Sequence, residues 1–142
     1  MNKGIFYAIM ASILWGIDYA IAGKLFEKIS IYSTLFVQFT TGAILMLILG
    51  YSDMKADMQY FGNNKITWLF GLSALIFCGA MLFIANSIKD SNATVAGLIE
   101  ITYPVFIIIF SYFVFGDNHI TPSITIGGIL IFAGVVVISV FK

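Results

Sequence analysis

The chain has 142 residues, of which 61% are hydrophobic, 16% aromatic and only 10% charged, against roughly 25% charged in a soluble domain. A mean hydropathy of +1.03, with apolar residues in long blocks between short polar gaps, excludes a soluble globular domain, a disordered tail, a collagen and a coiled coil; it leaves a polytopic membrane protein. Seven lysines, no arginine and seven acidic residues give zero net charge and exclude a nucleic-acid partner, while the single Cys78 excludes an internal disulfide and a multi-cysteine metal site.

A spanning helix needs about 20 mostly apolar residues. Five segments meet that length in chain order: about 4–23, 33–51, 66–88, 94–115 and 122–141. The alternation of a membrane barrel is absent, so the expected fold is an all-α polytopic membrane protein, one five-helix domain over 1–142. In the first segment, Lys3, an apolar run and Ala20-Ile21-Ala22 imitate a cleavable signal peptide. Asp18 and Tyr19 interrupt that pattern, and the first helix is kept in the mature protein. The connections at 24–32 and 52–65 are the longest; the turn at 89–93 is tight, and Pro122 follows the connection at 116–121, where a helix can start.

The lysines distribute almost evenly. With five spans, one side of the membrane carries Lys3, Lys55 and Lys65, and the other Lys24, Lys28, Lys89 and Lys142. Positive residues in short loops orient membrane proteins. So small a difference gives almost no instruction. Two readings stand on charge alone: orientation by weak cues such as the first helix, or insertion in both orientations.

Polar groups inside the spans are costly and mark functional sites by default. Asp18 lies in the first span, Gln38 in the second and Glu100 in the fourth. Each falls roughly 6–7 Å from its span centre, on the same side of the membrane. Pro104 stands one turn after Glu100 and has no N–H to give the carbonyl of residue 100. A carboxylate and a freed carbonyl then share a kink beside Tyr103. The alternative is a structural kink in which Glu100 is satisfied by Asn86 or Tyr19, with Asp18 paired to Lys24. Trp15, Tyr19 and Tyr103 are candidate walls of a site for an organic cation, or packing anchors. Small residues mark close helix approach: Gly16, Ala20 and Gly23 on the first helix, Ala93, Ala96 and Gly97 on the fourth, Gly127 and Gly134 on the fifth.

Three stretches carry a resemblance: Ala11-Ser12-Ile13-Leu14-Trp15-Gly16, Glu100-Ile101-Thr102-Tyr103-Pro104-Val105-Phe106, and Gly127-Gly128-Ile129-Leu130-Ile131-Phe132-Ala133-Gly134-Val135. Together the chain resembles a single five-helix EamA-type unit of the drug/metabolite transporter superfamily, where two such units are usually fused with the halves inverted. The last stretch also resembles the dimerising helix of the small multidrug resistance proteins. Those proteins pair antiparallel and carry an acid in helix one, so the resemblance implies Asp18 as a coupling carboxylate. Two departures stand out: Gln38 where many members have Arg, and Asp117 where Glu is usual. The missing Arg weakens the case for a phosphorylated or strongly anionic substrate.

The resemblance and the even lysines together lead to an inverted 5+5 homodimer, or a heterodimer with a sister subunit. The expected function is secondary transport of a small organic solute, coupled to protons, at a site of Glu100, Asp18, Gln38, Tyr103, Trp15 and Tyr19. Pro104 supplies the helix kink; Gly127 and Gly134 supply packing or dimer contacts. The alternative function is a non-transporting accessory or lipid-flippase subunit. No nucleophile–base pair or metal-ligand spacing accompanies His119 or Cys78, so no enzyme, cofactor or metal is expected. The partners expected are the lipid bilayer, the solute and protons. The expected location is the inner membrane of a bacterium or archaeon.

Overall fold

The computed structural model describes residues 2–117 and 120–140. Among the described residues six α-helices follow in order: α1 Lys3–Leu25, α2 Ile31–Asp57, α3 Asn64–Asp90, α4 Ala93–Glu100, α5 Tyr103–Phe110 and α6 Pro122–Val140. A 3₁₀ turn at Met58–Gly62 extends α2, and a π turn at Ser111–Phe115 extends α5. Among the described residues, five helical stretches are long and apolar enough to cross a membrane: Lys3–Leu25, Ile31–Gly62, Asn64–Asp90, Ala93–Phe115 and Pro122–Val140. The protein is therefore an all-helical integral membrane protein that contacts the lipid bilayer.

The chain divides into two units, Met1–Ala20 with Ser91–Lys142, and Ile21–Asp90. In the second unit, α2 and α3 are antiparallel partners in sequence, and Phe39 meets Phe77 with ring centroids 5.7 Å apart. Ser30 begins α2: its backbone is extended, and its side chain accepts the Ser33 N–H at 3.1 Å. That satisfies one of the donors left open at a helix start. At the other end α2 runs past the expected stop at Tyr51. The segment Ser52-Asp53-Met54-Lys55-Ala56 contains neither Gly nor Pro, so nothing in it breaks the helix. The expected connection at 52–65 is thus almost wholly helical, with Asn63 alone between Gly62 and α3. Its side chain accepts the Lys65 N–H at 3.0 Å. The stretch Ile31–Gly62 has 32 residues, roughly 48 Å of helix, so its charged end extends beyond a hydrocarbon core of about 30 Å. Phe83 is 82% exposed and Leu75 74%, as suits side chains whose solvent is lipid.

In the first unit, the fourth span is built from two short helices and the π turn. Asn92 starts it: its side chain accepts the Val95 N–H at 2.9 Å. Asn92→Ala should lower stability by about 1 kcal/mol, and Asn92→Asp should keep it; thermal unfolding in detergent is the measurement. The span ends at Gly116, whose φ of 75° is the left-handed conformation that favours glycine. The Gly116 N–H bonds the Ser111 carbonyl, a closure one residue wider than α-helical, and shares the Tyr112 carbonyl; the Asp117 N–H also reaches back to Ser111. As expected, α6 starts at Pro122, and the Thr121 hydroxyl accepts the Ile124 N–H at 3.3 Å.

Candidate functional site

Glu100 closes α4, and the helix breaks immediately after it. The break follows from Pro104, which cannot donate to the Glu100 carbonyl and whose ring crowds it. The backbone responds by tightening. The Thr102 N–H bonds the Ile99 carbonyl at 3.2 Å and the Val105 N–H bonds the Thr102 carbonyl at 3.0 Å, both three-residue rather than four-residue closures. The Thr102 hydroxyl also donates to the Ile99 carbonyl at 2.9 Å. The expected kink is therefore a full interruption at Ile101 and Thr102, with Tyr103 opening α5. The part played by Thr102 was not anticipated. Its signal in the sequence is a hydroxyl residue two positions before the proline, able to occupy a backbone carbonyl where the ladder fails.

At that break the Tyr19 hydroxyl donates a hydrogen bond to the Glu100 carboxylate. Tyr19 is buried, 9% exposed, and Glu100 is half-buried. Of the two partners considered for Glu100, Tyr19 is the one that serves it; the Asn86 amide turns back onto the Leu82 carbonyl of its own helix at 2.7 Å. Trp15, one turn before Tyr19 on α1, packs edge-on against its ring, with centroids 5.6 Å apart and planes at 69°. Beneath the ring lies Gly97, where an added Cβ would sit 3.4 Å from Tyr19 Cδ2. Two helices distant in sequence thus place an aromatic pair, a hydroxyl and a carboxylate at one point inside the membrane.

The remaining expected residues are placed as follows. Asp18 is adjacent to Tyr19 on α1 and half-buried. Its suggested ion pair with Lys24 does not form, because Lys24 binds Glu27 instead at 2.7 Å. Three-residue spacing brings that pair together, whereas six residues of helix part Asp18 from Lys24. Tyr103 is 57% exposed at the start of α5. Gln38 is half-buried on α2 and belongs to the second unit. An added Cβ at Gly127 or Gly134 would meet nothing within 4 Å. The close approach of α6 to α5 falls instead at Gly128, 3.7 Å from Val105 by the same measure. Cys78 is exposed on α3, and His119 lies outside the described residues. A separate groove of about 590 Å³ between α5 and α6 is lined by Val105, Ile108, Ile124 and Phe132 among others. Its lining holds none of Asp18, Tyr19 and Glu100.

Comparison with known proteins gives a consistent result. The sequence profile of the EamA-like transporter family matches residues 2–140. A Clostridium kluyveri protein described as an uncharacterized transporter is 25% identical over 142 residues, which cover 97% of this chain and 45% of that relative. The chain thus spans less than half the length of that relative. No solved structure matches it. With the family profile covering nearly every residue of a five-span helical chain, the protein belongs to the EamA-like transporter family.

Proposed function

We propose that this chain is one five-helix half of a secondary transporter for a small organic solute, coupled to protons. The observation that carries the reading is the Tyr19 hydroxyl donating to the Glu100 carboxylate where the fourth span breaks. Interrupted helices at membrane depth are the usual setting of transporter sites, since the break frees backbone groups for a ligand. An intramembrane carboxylate is also a proton carrier by default. Glu100 binds either a proton or a polar group of the solute. Protonation on one side then releases the solute, and that competition is the coupling. Trp15 and Tyr19 supply an aromatic wall to the site, and Tyr103 and Asp18 its flanks. Asp18 is a second candidate for the coupling proton.

The second half is a second copy inserted upside down. The support is the even lysine distribution, Lys3, Lys55 and Lys65 against Lys24, Lys28, Lys89 and Lys142, which gives little bias between orientations. The open faces at Gly127 and Gly134 suit a contact between subunits. The protein resides in the inner membrane of a bacterium or archaeon, and the family points to transport rather than catalysis.

The test is reconstitution of the purified protein in vesicles holding a pH-sensitive dye. A panel of amines, amino acids, nucleosides and carboxylates is added outside, after a melting-temperature screen in detergent has picked binders. A stabilising solute is expected to move protons across the vesicle membrane. Solute flux that is indifferent to pH and to the pH gradient overturns the coupling. Flux that begins only when another gene product is added replaces this reading with that of an accessory subunit.

A further inference from the structure

Close helix approach in a membrane is normally attributed to glycine faces, yet the glycines of this chain differ sharply in what surrounds them. An added Cβ at Gly16, Gly127 or Gly134 would meet nothing within 4 Å. At Gly97 it would lie 3.4 Å from Tyr19 Cδ2 and 3.7 Å from Tyr19 Cε2. The tyrosine ring therefore lies over α4 at position 97 with room for a methyl group, and nothing larger, between it and the backbone. Gly97 and Glu100 are three residues apart, one helical turn, on the same face. A ring seated on position 97 has its hydroxyl end directed one turn along that face, where the Glu100 carboxylate accepts its hydrogen bond. Trp15 supports the ring from α1, with centroids 5.6 Å apart. Ala96, next to Gly97 on α4, is 1% exposed.

We propose that Gly97 is the positioning residue of the site: the small size of residue 97 leaves the space that the Tyr19 ring occupies over α4, and so sets the Tyr19–Glu100 hydrogen bond. The role in transport rests on the function proposed above; the geometric claim does not. A methyl group at 97 touches the ring at ordinary contact distance. The branches of valine reach past Cβ into the ring and tilt the hydroxyl off Glu100. Position 97 thus acts on the Glu100 proton without touching it.

Infrared spectroscopy of the purified protein in lipid nanodiscs reads the Glu100 carboxyl band directly, with Glu100→Gln identifying the band. Tyr19→Phe removes the hydrogen bond outright and should shift the frequency of that band, which reports hydrogen bonding to the carboxyl group. Gly97→Val should move it equally. The double variant should move it no further, because both changes remove one interaction. Gly97→Ala and then Gly97→Cys should give small and intermediate shifts, and that series decides the matter if Gly97→Val does not insert. A band unmoved by Gly97→Val or Gly97→Cys while Tyr19→Phe moves it overturns the proposal. So does a double variant that shows the sum of the two shifts. The bands need no transported solute. Loss of the Gly97 effect with intact proton-coupled flux therefore refutes only the positioning role. The Gly97 effect without any coupled flux refutes only the transport reading.

Discussion

Glu100→Gln is expected to abolish proton-driven solute flux in reconstituted vesicles, a loss on the order of tenfold or more, because the amide keeps the shape of the side chain but carries no proton. Binding of the solute, and its exchange across the membrane without a gradient, should survive if the carboxylate serves the proton alone. The amide can still accept the Tyr19 hydroxyl, so the packing of α1 on α4 through the Tyr19 ring is retained. Asp18→Asn separates the second acid: loss of pH dependence assigns coupling to Asp18, and loss of binding alone assigns Asp18 to the solute. A purely structural role predicts the reverse pattern. Both neutral variants would then express or melt poorly, yet the protein that remains would transport with unaltered pH dependence. That outcome, at matched protein amounts, removes both residues from the site.

A reporter fused after Lys142 should be found on both faces of the membrane in similar amounts. Two or three lysines added between Ser52 and Lys65 should drive it to one face, since so few charges separate the two orientations. Because α2 continues to Asp57 and Asn63 is the single non-helical residue before α3, the added lysines should replace exposed residues of the 3₁₀ turn rather than be inserted. Gly127→Leu with Gly134→Leu should then reduce cross-linked dimer several-fold. An added Cβ at either position meets nothing within 4 Å among the described residues, so the fold itself should tolerate a larger residue there. A wild-type reporter confined to one face overturns the inverted homodimer. Unchanged cross-linking shows that the glycine face does not join subunits.

Much of the architecture was legible because lipid imposes a simple rule. Every spanning backbone must satisfy its own hydrogen bonds, so length and apolarity suffice to find the helices. The stretch Pro122–Val140 could be read from its apolar run and its leading proline alone. Boundaries were less legible where a helix outruns the membrane. Past Tyr51, α2 is polar, and a polar segment reads as a loop although no residue in it stops a helix. The interruption after Glu100 was visible only as a kink, because Pro104 announces a lost hydrogen bond but not how the backbone closes the gap.

The sequence by itself determined that five helices span a membrane, that the costly groups within them include Asp18 and Glu100, and that a proline weakens the fourth span. Each is a statement about one segment and its solvent, and composition decides it. Only the tertiary structure decided that Tyr19, rather than Asn86, holds Glu100, that Lys24 takes Glu27 in place of Asp18, and that Gly97 is the glycine a neighbouring ring faces. Those choices depend on which faces of α1 and α4 meet. In a chain where nearly every face is apolar, hydrophobic patterning does not distinguish the face turned to a neighbouring helix from the face turned to lipid.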